Sequence, residues 1–310
     1  MTILPVRREI TCNLCGNSSS KIRYDSTTPG GTEEHAGHYL ATTDLYGNYG
    51  QILECKACGL VFAAPRLADS EILSLYAKSE DEEYRDEGAS RSINSHFSLN
   101  TILRFVRAGK LLDIGCSTGF FLNAARLFFE VQGVEPSLSA SQYARDRLLI
   151  DVHTGTLETA KILDNSFGIA SMIDVVEHFS DPLSALKQAY RVLEPGGYLY
   201  LVTPDISSLA ARLLGKKWWG LRPAHLYYFS PASLRAMVEK AGFEVVMVQS
   251  FGRSFTGRYW ISRLRNYSPF FTGMVMRAMD RLGLLHKIIY INTFDSIELC
   301  ARKKGGHEPA

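Results

Sequence analysis

Four cysteines near the start of the chain form two Cys-x-x-Cys pairs, TCNLCG (Cys12, Cys15) and ECKACGL (Cys55, Cys58), each followed by a glycine. Two such pairs can supply the four thiolates of a closed tetrahedral Zn²⁺ site. The 39 residues between the pairs exceed the spacing of about 15–20 in typical zinc ribbons. Each doubling of a loop, however, costs only about 0.6 kcal/mol, far less than a structural zinc contributes. The pairs therefore predict a structural zinc site with no open position for catalysis.

A second chemical pattern, LLDIGCSTGFFL at residues 111–122, is typical of a buried strand, a tight glycine turn and the start of a helix. Such a turn brings the backbone close to a ligand. A phosphate-binding P-loop would close with Gly-Lys-Ser/Thr, whereas two phenylalanines follow Gly119. A dinucleotide fingerprint needs G-x-G-x-x-G, whereas Gly115 and Gly119 stand four apart with Ser117 between them. The pattern that remains is Asp113-x-Gly115-x-x-x-Gly119.

These residues need a scaffold, and from residue 110 onward predicted strands alternate with helices. We place the strands at 111–115, 131–135, 151–154, 167–174, 197–203, 243–249 and 295–301. Alternation of this kind predicts an α/β fold with a mostly parallel sheet covered on both faces. In SPASLRAMVEKAGF, Ser230 is the expected N-cap, Pro231 the first helical residue and Gly242 the stop. Ligands of such sheets bind beyond the carboxyl ends of the strands, where the glycine turn lies.

The chain divides into three predicted parts. Residues 1–66 form a zinc-ribbon-like module, and residues 67–109 form a helical connector whose acidic run SEDEEYRDEG is expected to be a solvated face. Residues 110–310 form the α/β domain, with a locally basic, helical insert at about 251–290.

The composition is that of an ordinary globular protein, with 46% hydrophobic and 21% charged residues. A net charge of +2 gives no overall attraction to nucleic acid or membrane. The first residues lack an apolar signal segment, and no run reaches the roughly 18 apolar residues of a membrane span. We therefore expect a cytoplasmic, reducing location, where Cys116 and Cys300 are buried thiols.

The glycine turn and the later segments GVEPS, SMIDVVEHFSDP and VLEPGGYLYLVTP resemble the class I S-adenosylmethionine-dependent methyltransferases. The resemblance is strong over roughly 110–203 and weaker over the last two strands. Where this chain has Ser117, the family usually has glycine. The resemblance implies a Rossmann-like, seven-stranded methyltransferase sheet that binds S-adenosylmethionine.

The resemblance also implies which residues bind this cofactor: Asp113, Gly115, Gly119, Glu135, Thr156, Leu157 and Asp174. Gly115 would let the chain pass close to the amino-acid tail, and Asp113 would hold the ammonium group. Glu135 would accept the ribose hydroxyls, Thr156 and Leu157 would lie at the adenine, and Asp174 would face the methionine part. From chain order, we expect Tyr84 and Arg91 to cover the cofactor.

Two histidines are candidate catalytic residues. His225, in RPAHLYYFSPASL, lies where related enzymes build the acceptor pocket, as either a general base or a histidine packed among aromatic residues. His178 lies in DVVEH, which resembles the EVVEH segment that is associated with a divalent ion in ubiquinone-biosynthesis O-methyltransferases. The alternative for His178 is a histidine that only opens a helix.

A zinc module ahead of the domain resembles the layout of methyltransferases in deoxysugar and surface-polysaccharide pathways. We therefore expect O-methylation of a sugar-containing or related small polar metabolite, including a lipid-linked sugar. The alternatives are a phenol or quinone-precursor O-methyltransferase, and a sugar C-methyltransferase, which is disfavoured because we do not expect a second C-terminal domain after the seventh predicted strand. An RNA methyltransferase is disfavoured by DVVE in place of Asn/Asp-Pro-Pro-aromatic, and a non-catalytic binding protein is disfavoured by the intact Asp113, Gly119 and Glu135.

The expected partner is thus a small-molecule acceptor and not a nucleic acid. We expect the protein to have no transmembrane segment and to be a monomer or a homodimer. The insert combines arginines with apolar residues at helical spacing. This pattern is typical either of docking to an anionic membrane or a phosphorylated substrate, or of a helical cap or dimer contact.

Overall fold

The computed structural model describes residues 10–27, 36–39 and 45–305 of the chain. The strands are β1 (Ser20–Tyr24), β2 (Ile52–Cys55), β3 (Val61–Ala63), β4 (Lys110–Ile114), β5 (Glu130–Glu135), β6 (Val152–Thr154), β7 (Phe167–Ile173), β8 (Leu193–Pro204), β9 (Tyr227–Tyr228), β10 (Phe243–Ser250), β11 (Arg253–Thr256), β12 (Ile288–Ile291) and β13 (Ser296–Lys303). The α-helices are α1 (Asp69–Ala77), α2 (Glu82–Asp86), α3 (Gly88–Ile102), α4 (Phe120–Ala125), α5 (Leu138–Leu148), α6 (Pro182–Val192), α7 (Leu209–Leu214), α8 (Pro231–Lys240), α9 (Gly257–Ser262) and α10 (Pro269–Arg281). Short 3₁₀ helices lie at Ala36–Tyr39, Val176–His178 and Gly215–Lys217.

The main sheet has seven strands in the order β10-β13-β8-β7-β4-β5-β6. Neighbours from β8 to β6 are parallel, and β13 inserts antiparallel between β8 and β10. These are the seven strands that the sequence predicts, so the Rossmann-like methyltransferase fold is confirmed. The strand order reverses between β4 and β7, which opens a crevice at the carboxyl ends of these strands.

Alternate residues of the central strands face two separate apolar cores, as the two-residue period of a strand requires. In β8, Leu199 and Leu201 pack in the core shared with α6 and α8. Tyr200 and Val202, on the opposite face, pack with residues of α3 and α4. The sheet is therefore covered on both sides, and its strand ends are held in fixed positions.

Helix α8 begins and ends as the sequence predicts. The Ser230 hydroxyl caps the helix by accepting the Ser233 N–H at 3.2 Å, and Pro231 is the first helical residue. The helix ends at Lys240, and Gly242 adopts a φ of +111°. Because α8 packs against the core, these local signals fix where β10 enters the sheet.

The cysteine-rich segment is joined to the methyltransferase domain by β9, a strand of that domain that the sequence did not reveal. β1, β2 and β3 form an antiparallel sheet whose fourth strand is β9, with Phe62 paired to Tyr227. Cys12 and Leu60 also belong to the same apolar core as Leu199. The boundaries at 66 and 109 remain predictions, and residues 1–9 and 306–310 of the predicted end domains lie outside the described residues.

The insert at about 251–290 contains an antiparallel strand pair, β11 and β12, as well as helices. Helix α9 buries Tyr259 and Ile261, whereas Thr272 is the buried residue of α10. Phe270 on α10 is 80% exposed. α9 therefore packs on the domain while α10 presents an apolar face. Among the described helices, none has the length and apolar character needed to cross a membrane.

Candidate active site

The turn after β4 has the close backbone approach that its glycines predict. The N–H groups of Gly115 and Cys116 donate to the Val134 carbonyl at 2.8 and 3.2 Å. Gly115 has a φ of +77°, and a Cβ there would lie 2.5 Å from Val175 Cγ2, so only glycine fits. Ser117 adopts a φ of +48°, a conformation that costs an L-residue on the order of 1 kcal/mol. The serine therefore keeps a left-handed turn at the position where the family usually has glycine.

Glu135, at the end of β5, connects this turn to the next helix. Its Oε2 accepts the Ser117 N–H and its Oε1 accepts the Ser137 N–H, both at 2.8 Å. Burial raises the pKa of Glu135, although these two N–H groups oppose the shift. Each carboxylate oxygen has a second lone pair, so the group can still accept ribose hydroxyls.

Asp113 lies in β4 and is almost completely buried, at 3% exposure. The Ser171 hydroxyl donates to its Oδ1 at 2.7 Å. Burial nevertheless raises the pKa of Asp113 to about 7. A cationic ligand nearby would stabilise the ionised form of this buried carboxyl group. The predicted contact with the ammonium group of the cofactor would supply that positive charge.

A first cavity of about 440 Å³ lies at this edge of the sheet. Five of the seven predicted cofactor residues line it: Gly115, Glu135, Thr156, Leu157 and Asp174. The sixth, Asp113, lines a neighbouring cavity instead. The seventh, Gly119, lies behind the turn as the N-cap of α4, where a Cβ would be 3.1 Å from Ala144 Cβ. The structure thus brings the predicted residues to one crevice, and their contacts with the cofactor remain predictions.

The connector also contributes to the first cavity, with more residues than the expected Tyr84. Tyr76 of α1 and Asp81, Tyr84 and Arg85 at α2 line it. The acidic run is therefore only in part a solvated face, because Asp81, Tyr84 and Arg85 line the cavity while Glu80, Glu82 and Asp86 are exposed. Tyr84, which was expected to cover the cofactor, lies at this wall.

Asp174 follows β7 with a φ of +53° and is held by an arginine from the insert. Arg253 donates through Nη1 and Nη2 to the two carboxylate oxygens of Asp174 at 2.7 and 2.6 Å. Such a bidentate pair fixes the orientation of the carboxylate. The sequence marked Arg253 only as one of several basic residues in 251–290, and no spacing linked it to Asp174, 79 residues away.

A second cavity of about 400 Å³ adjoins the first. The residues that line both cavities are Tyr84, Gly115, Ser117, Asp174 and His178. Beyond this junction the wall is formed by aromatic residues and arginines, most of them from the insert and the segment before β9. Two ligands, one in each cavity, would therefore meet at the glycine turn.

Both candidate histidines lie on the wall of the second cavity, with ring centroids 4.7 Å apart. Nδ1 of His225 is 2.8 Å from the Gly220 carbonyl, and Nδ1 of His178 is 2.6 Å from the Tyr76 hydroxyl. Burial lowers the pKa of His178 to about 4. The pKa of His225 lies well below its usual value because the ring is buried and because His178 and Arg222 lie nearby. Both rings are therefore neutral near pH 7 and can accept a proton.

Glu177 completes a group of three possible metal ligands. One ligand atom each from Glu177, His178 and His225 lies within 4.8 Å of the others. The Thr203 hydroxyl donates to Glu177 Oε2 at 2.8 Å. Burial is the larger cause, and the negative charge of the nearby Asp174 the second, that raises the pKa of Glu177 to about 8. The DVVEH histidine and His225, which are separate in the sequence, thus belong to one cluster.

The four predicted zinc ligands lie together at the edge of the second sheet, with all four Sγ atoms within 4.8 Å of one another. Cys12 and Cys58 have Sγ atoms 3.4 Å apart, and Cys15 and Cys55 have theirs 3.5 Å apart. A disulfide would require about 2.0 Å, whereas an ideal tetrahedral ZnS₄ site places its sulfurs about 3.8 Å apart. The donor set and its spacing therefore fit one zinc ion. Cys116 and Cys300 are buried free thiols, as expected.

Comparison with known families identifies the class of protein that this fold and site define. A family model described as Methyltransferase domain matches residues 82–248, more than half of the chain. The chain therefore belongs to this family of methyltransferase domains.

Individual relatives are similar over part of their length. The ubiquinone biosynthesis O-methyltransferase of Cereibacter sphaeroides is 29% identical over 150 residues, covering 44% of this chain and 61% of the relative. That of Ruegeria pomeroyi is 32% identical over 155 residues, covering 46% and 62%. The chain thus spans about three fifths of the length of these curated relatives. One similar solved structure is a chain of the complex between the Haloferax volcanii Trm112 methyltransferase activator and its proposed methyltransferase. It matches with a TM-score of 0.51 and 15% identity, covering 77% of this chain and 100% of that one. This likeness concerns the fold alone.

Glu135→Gln should weaken binding of S-adenosylhomocysteine about tenfold or more, because hydrogen bonds to a charged acceptor are lost. Isothermal titration measures the change directly. Glu130→Gln is the matched control, since this residue lies at the opposite end of β5 with its side chain 73% exposed. Equal affinity in both variants and the wild type would remove Glu135 from the cofactor site.

Asp113→Asn should stabilise the cofactor-free protein at pH 8 while weakening S-adenosylhomocysteine binding. The folded pKa of about 7 lies above the unfolded value of 3.8, so the wild-type carboxyl contributes stability below pH 4 and loses it as the pH rises through 7. The variant avoids this loss, which amounts to a few kcal/mol at pH 8, and should differ little at pH 4. Denaturant unfolding at pH 4 and pH 8 measures the free energy of unfolding of the wild type and the variant, with the exposed Asp146→Asn as control. If the difference in this free energy between Asp113→Asn and the wild type were the same at both pH values, the prediction would be refuted.

Purified protein should contain about one zinc ion per chain. Cys55→Ser should lose the metal and melt at a lower temperature, because the second sheet and its packing on β9 depend on the cluster. Cys300→Ala, which removes a buried thiol outside the cluster, should keep the zinc. Elemental analysis that finds no zinc in protein with all cysteines reduced would rule the site out.

Proposed function

We propose that this methyltransferase transfers the methyl group of S-adenosylmethionine to a hydroxyl oxygen of a sugar-containing or related small polar acceptor. The observation that carries the proposal is the junction of the two cavities at Gly115, Ser117 and Asp174. A cofactor in the first cavity and an acceptor in the second would meet there. The buried His225, which lines the second cavity alone, would lie on the acceptor side.

The side chains of the first cavity, together with Asp113 from the wall of the second, fit this cofactor. Glu135 would accept the ribose hydroxyls, Thr156 and Leu157 would flank the adenine, and Asp113 and Asp174 would face the cationic methionine part. When bound, the cofactor supplies an electrophilic methyl group on its sulfonium. The chain's own task is to align the acceptor oxygen with that methyl group and to exclude water, which lowers the barrier by several kcal/mol.

We assign His225 as the general base. In the neutral ring Nδ1–H donates to the Gly220 carbonyl, so Nε2 carries the lone pair. Nε2 takes the hydroxyl proton as the C–O bond forms and the C–S bond breaks, which leaves a methyl ether and a neutral thioether. His178, which contacts Tyr76 and lines both cavities, is the second candidate and would position the acceptor.

The walls of the second cavity support an acceptor with both apolar and polar faces. Trp219, Tyr259 and Trp260 provide aromatic surface, against which the C–H face of a sugar ring can pack. Ser95 and Ser98 add hydroxyl groups that can bind ring oxygens and hydroxyls. This combination favours a sugar-containing acceptor over a wholly aromatic one.

A second candidate is a phenol or quinone-precursor O-methyltransferase that uses a divalent ion. The relatives reported above are named as ubiquinone biosynthesis O-methyltransferases. The grouping of Glu177, His178 and His225 supplies one carboxylate and two imidazoles, a set that divalent transition metals bind. Incubation with labelled cofactor and panels of nucleotide sugars, glycolipids, catechols and RNA separates the candidates. Labelling of catechols alone, abolished by a chelator without unfolding, would favour the second.

His225→Asn should lower kcat on the acceptor found in that panel by about 10²–10⁴-fold, the usual contribution of a general base. Cofactor affinity should be unchanged, since His225 does not line the first cavity. The wild-type rate should stay level down to about pH 6.5 and fall only below it, because the pKa of His225 is held well below that value. His96→Asn, on the exposed face of α3, is the control; an unchanged kcat in His225→Asn would identify His225 as a packing residue.

A further inference from the structure

Helix α10 turns one apolar face to the solvent. Thr272 is buried, whereas Phe270 is 80% exposed and Phe271 and Met274 are also exposed. At 3.6 residues per turn, these three apolar side chains fall within about 100° around the helix axis, on one face. Leu282, directly after the helix, is exposed as well. Single exposed apolar residues are ordinary in globular proteins, but a continuous apolar stripe marks a contact surface.

Helix α7 shows the same arrangement on a smaller scale. Its Ala211 packs with Trp218 and Leu221 in an apolar cluster that includes residues of the second sheet. Leu209 and Leu213, four residues apart, lie on the outer side of the helix, where Leu213 is 77% exposed. Helix α7 therefore covers the core with one side and presents two leucines with the other.

The end of α7 and the start of α10 are joined beside the second cavity. The Tyr267 hydroxyl donates to the carbonyl of Lys217 at 2.6 Å. Lys217 ends the 3₁₀ helix that follows α7, and Ser268, the residue after Tyr267, is the N-cap of α10. Tyr267 and Trp219 also line the second cavity. The two outer faces therefore form one region, the α7–α10 surface, which adjoins the wall of this cavity. Its exposed apolar residues are Leu209, Leu213, Phe270, Phe271, Met274 and Leu282.

The same region is strongly basic. In residues 209–217 and 264–287, seven lysines and arginines stand against a single aspartate. All seven cationic side chains are exposed: Arg212, Lys216, Lys217, Arg265, Arg277, Arg281 and Lys287. Arg277 and Arg281 lie one turn apart on the side of α10 that carries Phe270. The net charge of +2 for the whole chain thus conceals a local excess of positive charge.

Exposed phenylalanine and leucine side chains surrounded by cations are complementary to an anionic lipid surface. Lysine and arginine side chains meet the negative headgroups, and the apolar side chains enter the boundary between headgroups and acyl chains. A second copy of this chain fits less well, because a symmetric pairing of the α7–α10 surface would bring its cations against one another. The charge of the surface therefore favours a bilayer over self-association.

We propose that α7 and α10 dock this protein on an anionic lipid bilayer, with both helices lying in the plane of the interface. Docking by itself does not depend on the proposed function. One consequence does rest on it: if the second cavity binds the acceptor, its wall at Tyr267 and Trp219 lies beside the bilayer. The acceptor would then be a membrane-held molecule, such as a lipid-linked sugar.

Flotation of the full chain with vesicles tests the docking. We expect the protein to float with vesicles of phosphatidylcholine and phosphatidylglycerol, and not with vesicles of phosphatidylcholine alone. Phe270→Ser should weaken the partitioning about tenfold or more, because a largely exposed ring no longer enters the bilayer. The double variant Lys216→Glu/Lys217→Glu should weaken it at least as much, because attraction becomes repulsion.

Two matched variants serve as controls. Leu163→Ser removes a leucine that is 77% exposed in the loop before β7, at the edge of the main sheet opposite the cavities, and should float as the wild type does. Lys187→Glu, at an exposed position of α6, controls for the change of charge. Salt at about 1 M, where the Debye length is about 3 Å, should release part of the bound protein. Thermal melting verifies that each variant is folded.

Three results would overturn the docking: no flotation with the anionic vesicles, equal flotation of Phe270→Ser and Leu163→Ser, or a self-associated wild type that Phe270→Ser converts to monomer in sedimentation velocity. The last result would assign the surface to a second copy of the chain. Flotation as predicted, in a protein that fails to bind S-adenosylhomocysteine, supports docking and refutes the proposed function. Flotation with methylation of soluble acceptors only supports docking and refutes a membrane-held acceptor.

Discussion

A buried carboxylate, that of Glu135, holds the two structural elements that form the floor of the first cavity. It accepts one N–H from the glycine turn and one from the start of α5, so both are fixed at the same edge of the sheet. Burying this charge is unfavourable, but two N–H donors and the positive end of α5 offset part of the cost. Because the turn sets the position of Ser117 and Gly115, the cavity junction depends on this interaction as well.

The two cavities, proposed for cofactor and acceptor, come from different parts of the fold. The sheet and its turns form the first cavity, whose geometry follows from parallel strands ending at one edge. The insert and the loop before β9 form much of the second cavity. The Arg253–Asp174 pair joins the two parts, since an insert residue fixes a carboxylate that both cavities share. If the second cavity binds the acceptor, as proposed, the choice of acceptor is encoded mainly outside the strands of the main sheet.

Local patterns predicted the parts of the structure that local physics decides. The alternation of strand-like and helix-like segments marked all seven strands, Ser230 and Gly242 marked the ends of α8, and the cysteine pairs met in one cluster. Long-range pairs were not accessible in this way. The pairing of β3 with β9, the contact of Arg253 with Asp174 and the approach of His178 to His225 depend on how distant segments pack, and a single sequence records no such contact. The acidic run is only in part the solvated face that was predicted, because the folded chain brings Asp81 and Arg85 to the wall of the first cavity beside the expected Tyr84.

The most direct measurement of the central claim is a crystal structure of the protein with S-adenosylhomocysteine. We predict that the ribose hydroxyls lie within about 3 Å of the Glu135 carboxylate, the amino group beside Asp113 and the sulfur atom at the opening between the cavities. A product molecule bound elsewhere, or a first cavity closed by side chains in the presence of saturating ligand, would contradict it.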